Sequence, residues 1–169
     1  PRCTPSRWRS SSRATRCAAP GWLCRAVDAL DAIERVDGHL NSICHTDPEA
    51  TLRQARQAEE RYRRGEPIGP IDGVPTTIKD IFYTRGVPTL RGSRLLADKP
   101  DAADPAAWPD DAPVTAATRE AGCVVIGKTT TPEFAWKGVT DSTLTGITRN
   151  PYDPALTSGG SSGGAAAAV

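Results

Sequence analysis

Apolar residues recur at intervals of three and four along the segment that begins at Ala26. They are Ala26, Val27, Leu30, Ile33 and Val36, with charged residues between them. This spacing predicts an amphipathic helix with a single apolar stripe that ends near Gly38.

A second helix is predicted for "PEATLRQARQAEERYRRG". Pro48 suits the first turn, Glu49 lies near the positive end of the helix dipole, and the arginines of residues 61–64 lie near its negative end. Gly65 stops the helix. Because most of its residues are polar, we expect it to lie on the surface.

Short apolar runs follow the two helices. "GPIDGVPTTIKDIF" is typical of a Gly/Pro turn followed by a short strand, and "CVVIG" of a buried strand. Between them "DAPVTAATREAG" predicts a helix capped by Asp110 or Asp111 and stopped at Gly122. This alternation of helices and strands indicates an α/β fold.

Residues 1–25 differ from the rest of the chain, since they contain six arginines and no acidic residue. Such a composition is also found in transit peptides. We expect a disordered or non-native leader, because no helical or strand periodicity is present there. The predicted domain therefore covers residues 26–169, and the absence of any methionine suggests that it is incomplete.

Composition narrows the classes of function. A formal charge of +1 favours neither nucleic acid nor an anionic membrane as a direct partner, and the apolar runs are too short to cross a bilayer. Five cysteines without a CxxC pair favour free cytoplasmic thiols over a disulfide framework. With only His39 and His45 as histidines, we expect no metal site, no cofactor and no histidine-based triad.

One stretch matches the phosphate-binding loop G-x-x-x-x-G-K-[ST], from Gly122 to Thr129. In a true phosphate loop the intervening residues form a turn and a helix begins at the lysine. Here those residues are the predicted strand, and Pro132 and three threonines follow. A nucleotide-binding module is therefore a weak alternative, which ATP-dependent thermal stabilisation would test.

Lys79 is the first candidate for chemistry. It lies within the apolar segment "GVPTTIKDIF", where burial disfavours the charged amine and lowers its pKa, so that the neutral form can act as a base. For a lone lysine, an extended path to solvent or a pair with Asp80 is the more common outcome.

The second candidate is "TSGGSSGGAAAAV", residues 157–169. Glycine pairs around Ser161 and Ser162 permit backbone conformations and close approaches that other residues do not. A flexible linker is the alternative, but the alanine run behind the serines favours a helix instead.

Six motifs in this chain resemble, in order, those of the amidase signature hydrolases. They are "RVDGHLNSI", "GVPTTIKD", "RGSRLL", "DAPVTAATREAGCVVIGKTTTPEF", "TRNPYDP" and "GGSSGGAAAAV". The resemblance covers about residues 26–169 and implies the N-terminal part of a single α/β domain, with a mixed sheet covered by helices on both faces. Such a part would leave sheet edges unpaired and be marginally stable alone.

The resemblance also implies a triad of a nucleophilic serine, a second serine in a cis peptide and a lysine. Lys79 takes the lysine position, Ser161 the cis-serine position and Ser162 a supporting position, while Ala135 in "EFAWKG" is a candidate for a backbone contact with substrate. The family's nucleophile lies further along the chain than Val169. We therefore expect an amide hydrolase whose 169-residue piece is inactive.

Two other functions remain open. The A subunit of glutamyl-tRNA amidotransferase, a glutaminase in the same family, is the main rival, although "TTPEFAWKGVTD" is more similar to stand-alone amidases. A non-catalytic interaction remnant is the other. The expected partner is a small-molecule amide, and a homodimer is compatible with the sequence, which does not specify the acyl group or the amine.

Overall fold

The computed structural model describes residues 21–169, so residues 1–20 of the predicted leader lie outside the described part. Helix α1, Trp22–Leu40, begins four residues before the predicted start at Ala26. The indole of Trp22 lies 5.3 Å from the ring of Tyr62, and a Cβ on Gly73 would come within 2.5 Å of that indole. Residues 22–25 of the predicted leader are therefore helical, while the division of the chain at residue 25 stays a prediction.

Helix α2, Pro48–Arg64, has the predicted bounds. The carboxylate of Asp47 caps it by accepting a hydrogen bond from the backbone N–H of Ala50 at 2.9 Å, and Gly65 ends it with a φ of 74°. The expected surface position holds for its charged face only. Ala55 and Ala58 are fully buried, because short side chains allow close packing on α1.

A three-stranded mixed sheet forms the centre of the fold. Its strands are β1, Ile43–Thr46, β2, Pro75–Lys79, and β3, Val124–Thr129, in the order β1-β3-β2. Strand β3 pairs antiparallel with β1 and parallel with β2. Val124 and Ile126 pack with Ala26 and Ala55 in the hydrophobic core. The predicted class, α/β with a mixed sheet and flanking helices, is confirmed.

The remaining elements are short. They are α3, Arg94–Ala97, a 3-10 turn, Pro105–Ala107, α4, Pro113–Glu120, a 3-10 turn, Glu133–Ala135, β4, Asp141–Ser142, β5, Gly146–Ile147, β6, Arg149–Asn150, β7, Asp153–Thr157, and α5, Gly163–Ala167. Strands β4 and β5 form one hairpin and β6 and β7 another.

The predicted cap of α4 is wrong. Ala112 occupies the N-cap position, and no side-chain cap is present. The carboxylate of Asp111 instead accepts a hydrogen bond from the backbone N–H of Arg85 at 2.7 Å and lies 3.3 Å from Nε of Arg119. A tertiary contact thus replaces the local one.

Three further expectations can be compared with the described residues. Cys44 and Cys123 are free thiols, but Cys24 is disulfide-bonded, so the expectation of free thiols is wrong for Cys24. Within residues 21–169 no helix is both long and apolar enough to cross a membrane. The same residues contain no cluster of three or more histidine, cysteine and acidic side chains suited to a metal ion.

Candidate active site

Lys79, the last residue of β2, meets the two serines of the glycine-rich loop. Its Nζ donates to Oγ of Ser161 at 2.8 Å and to Oγ of Ser162 at 2.9 Å. The structure thus brings together three of the four predicted site residues across a sequence separation of more than 80 residues. The amine lies at the carboxyl end of β2, the edge where sites of open α/β sheets are commonly found.

The serine loop, residues 158–162, follows β7 and leads into α5. The peptide bond between Gly160 and Ser161 is cis, as the resemblance implied. A Cβ on Gly160 would lie 2.6 Å from the carbonyl carbon of Val139, so no side chain fits there. The loop therefore packs directly on the backbone of the segment that follows the 3-10 turn Glu133–Ala135.

Two threonines fix the loop by hydrogen bonds. Oγ1 of Thr131 donates to the carbonyl of Ser161 at 3.2 Å, and the N–H of Gly163 donates to Oγ1 of Thr140 at 3.0 Å. Sequence reasoning missed both threonines. The run of threonines that contains Thr131 disfavours a helix at that point but does not indicate a hydrogen bond to a distant loop.

Burial lowers the pKa of the Lys79 amine below its ordinary value. The alternative that Lys79 pairs with Asp80 is wrong, because the Asp80 carboxylate lies 2.8 Å from Nζ of Lys128 instead. Lys79 thus has two hydroxyl partners and a partly desolvated amine. This arrangement favours the neutral form, which can accept a proton from a neighbouring hydroxyl.

Ala135 ends the 3-10 turn after β3 with a φ of 57°. Its N–H donates to the carbonyl of Pro132 at 2.9 Å, so a substrate contact through this N–H requires the turn to open. The preceding residue, Phe134, donates its N–H to the carbonyl of Arg91 at 2.9 Å. The substrate role of Ala135 remains a prediction.

The phosphate-loop alternative is wrong. Residues 124–129 form strand β3, in which Lys128 is 1% exposed at its side chain. Its ammonium is directed to Asp80 and is enclosed by protein. No helix begins at this lysine, so the backbone does not form the phosphate cradle that the motif requires.

The fold and the site together define an α/β protein with a serine–lysine centre. The sequence model of the amidase family matches residues 26–169. The chain therefore belongs to the amidase signature family.

Curated relatives in this family are A subunits of glutamyl-tRNA(Gln) amidotransferase. The subunit of Salinispora tropica is 41% identical over 142 residues, which cover 83% of this chain and 27% of that protein. The subunit of Thermobifida fusca is 42% identical over 142 residues, with the same coverage. The chain thus spans about a quarter of the length of these relatives.

Solved structures similar to this chain include an aryl acylamidase and a peptide amidase. A bacterial aryl acylamidase of the amidase signature family has a TM-score of 0.78 at 30% identity, covering 88% of this chain and 30% of that one. A peptide amidase bound to the competitive inhibitor chymostatin has a TM-score of 0.76 at 31% identity, covering 89% and 31%.

Proposed function

We propose that the complete polypeptide hydrolyses a carboxylic amide to an acid and an amine or ammonia, with Lys79 and Ser161 as its proton relay. The observation that carries this proposal is the 2.8 Å contact between Nζ of Lys79 and Oγ of Ser161. Membership of the amidase family supports the reaction class.

In this reaction a serine C-terminal to Val169 attacks the amide carbonyl. Its proton passes to Oγ of Ser161, and the Ser161 proton passes to the neutral amine of Lys79. The relay then returns a proton to the departing amine as the C–N bond breaks and an ester with the nucleophile remains. Water hydrolyses that ester by the same relay. Ser162 holds the Lys79 amine in place through its 2.9 Å contact.

The test is an amide hydrolysis assay on the complete polypeptide. Lys79→Met and Ser161→Ala should each lower kcat by at least about a hundredfold, the usual range for loss of a general base. Lys137→Met is the matched control, because this lysine is paired with Asp141 on the surface and should leave kcat unchanged. Wild-type activity in both relay variants would refute the assignment.

We also propose that the 169-residue chain is inactive by itself. The family resemblance implies that the nucleophile and the oxyanion donors, which supply the largest electrostatic contribution in acyl transfer, lie further along the polypeptide. Amide hydrolysis by the purified 169-residue chain that Lys79→Ala abolishes would contradict this proposal.

A glutaminase within an amidotransferase is the second candidate. The 41% and 42% identity to the two A subunits favours it, whereas the two solved amidases described above are 30% and 31% identical. Ammonia release from glutamine, together with co-purification of partner subunits, would support this candidate. Hydrolysis of aryl or peptide amides without glutaminase activity would support the stand-alone enzyme.

A further inference from the structure

A buried ion pair lies directly beside the proposed relay without belonging to it. Nζ of Lys128 is 2.8 Å from Oδ1 of Asp80, and the two side chains are 1% and 5% exposed. Asp80 follows Lys79 in sequence, and Lys128 pairs in register with Ile78 on the neighbouring strand. Because desolvating two charges is costly, such a pair is a poor source of stability and calls for another explanation.

Both members of the pair lie beside the same loop, residues 88–92. Nζ of Lys128 donates to the carbonyl of Pro88 at 3.1 Å and to Oγ1 of Thr89 at 2.6 Å. Burial raises the pKa of the Asp80 carboxyl, and the nearby backbone N–H groups of residues 90 and 91 act in the opposite direction. The loop is thus attached to the sheet through the two charged groups.

The same loop continues to the serine. The carbonyl of Arg91 accepts the N–H of Phe134 at 2.9 Å. Gly92 packs so closely that a Cβ would lie 2.6 Å from the carbonyl oxygen of Thr131. Oγ1 of Thr131 in turn donates to the carbonyl of Ser161 at 3.2 Å. A continuous series of contacts therefore joins the ion pair to Ser161.

We propose that Asp80 and Lys128 are positioning residues, which hold loop 88–92 against the sheet and thereby keep Ser161 in contact with the amine of Lys79. The catalytic meaning of this contact rests on the proposed function. The positioning itself does not, since it concerns contacts within the described residues.

The charges of the pair and its positioning of the loop predict different changes in the pKa of Lys79. If the pair acted only through its charges, removal of the Asp80 carboxylate would lower the pKa of Lys79, and removal of the Lys128 ammonium would raise it. Positioning predicts that both changes raise the pKa of Lys79 toward the ordinary lysine value, because a displaced Ser161 leaves the amine more exposed to water. Asp80→Asn therefore separates the two effects by sign.

Other ionisable groups also act on the pair. Cys44 and His45 on β1 and Arg91 in the loop interact electrostatically with one or both members. Their contribution stays constant across the variants compared, since these side chains are retained in all of them.

The experiment follows the side-chain carbon signals of selectively labelled lysine in the 169-residue chain by NMR. The chain has four lysines, at positions 79, 99, 128 and 137, so each titration can be assigned by substitution. We expect Asp80→Asn and Lys128→Met each to raise the pKa of Lys79. We also expect the backbone N–H groups of residues 90 and 91 to exchange about tenfold faster or more.

Thr89→Val keeps both charges and removes only the 2.6 Å contact with Lys128, so it serves if the charge variants fail to fold. Like the charge variants, Thr89→Val should raise the pKa of Lys79. Asp72→Asn is the matched control, because it weakens a different buried ion pair, with Arg61. It should reduce stability while leaving the Lys79 titration unchanged.

An unchanged Lys79 titration in Thr89→Val and Lys128→Met, or a lowered pKa in Asp80→Asn, would overturn the positioning role. In the complete polypeptide the same variants should lower kcat more than they raise KM. A complete polypeptide without amide hydrolysis would refute the proposed function but leave the NMR result intact. The two failures are therefore distinguishable.

Discussion

Gly164, in the first turn of α5, offers a sharp test of how tightly the serine loop is packed. A Cβ at this position would lie 2.4 Å from the backbone N of Thr130 and 2.7 Å from the carbonyl oxygen of Ser42. These two atoms are themselves joined by a 2.9 Å hydrogen bond. Because both are backbone atoms, neither can rotate away from an added methyl group.

One favourable and two unfavourable contributions decide how Gly164→Ala changes the free energy of unfolding. Alanine is favoured over glycine within a helix by about 1 kcal/mol. Overpacking costs about 1–3 kcal/mol, and loss of the hydrogen bond between Thr130 and Ser42 adds about 0.5–1.5 kcal/mol. We therefore expect a net loss of about 0.5–3.5 kcal/mol. Each kcal/mol lowers Tm by about 2–4 °C in a protein of this size.

The assay is urea and thermal unfolding of wild type and variant under identical conditions. Gly138→Ala is the matched control, since nothing lies within 4 Å of a Cβ there, and we expect a change within about 0.5 kcal/mol. The methyl group should also displace α5 and alter the Lys79 titration. A Gly164→Ala variant as stable as wild type, with the Lys79 titration unchanged, would refute the close packing described.

Three further predictions concern single side chains. Thr129→Val should preserve or raise the free energy of unfolding, because the Thr129 hydroxyl is buried and has no hydrogen-bond partner within residues 21–169. The Thr130 hydroxyl has partners at 2.6 and 3.2 Å, so Thr130→Val should lower the free energy of unfolding by about 1–3 kcal/mol, as measured by urea unfolding. Asp72→Asn should cost about 1.5–3 kcal/mol at neutral pH. Hydrogen bonds from Arg61 lower the pKa of Asp72, so the difference in unfolding free energy between wild type and Asp72→Asn should shrink as pH falls through that lowered pKa. A difference that stays constant into strong acid would contradict this prediction. Because burial lowers the pKa of Lys79, wild type should gain stability relative to Lys79→Met as pH rises toward the ordinary lysine pKa, and parallel stability curves would argue against that shift.

Local signals were sufficient where the structure is decided locally. The bounds of α2 follow from Pro48 and Gly65, and strand β3 follows from a run of β-branched residues. The start of α1 and the cap of α4 could not be found in this way. Trp22 is held by a ring distant in sequence, and Asp111 is engaged by Arg85 and Arg119.

The site shows the same division. From the residues alone, Lys79 is an amine in apolar surroundings and Ser161 lies in a loop with unusual backbone freedom. The prediction that Lys79 and Ser161 lie close together came from the family resemblance, because no local pattern specifies a contact between residues more than 80 positions apart. The threonines that fix the loop were missed for this reason, since a hydroxyl donor to a distant carbonyl leaves no periodic signal.

The different partners of Lys79 and Lys128 show why the ion pair matters for the chemistry. Asp80 lies next to Lys79 in sequence, yet its carboxylate points to Lys128 on the adjacent strand. A carboxylate beside Lys79 would stabilise the ammonium and oppose its action as a base. Lys128 binds Asp80, whereas within residues 21–169 the Lys79 amine has two hydroxyl partners, and partial burial lowers its pKa. The register of β2 and β3 therefore decides which lysine binds Asp80 and which one contacts the two serine hydroxyls.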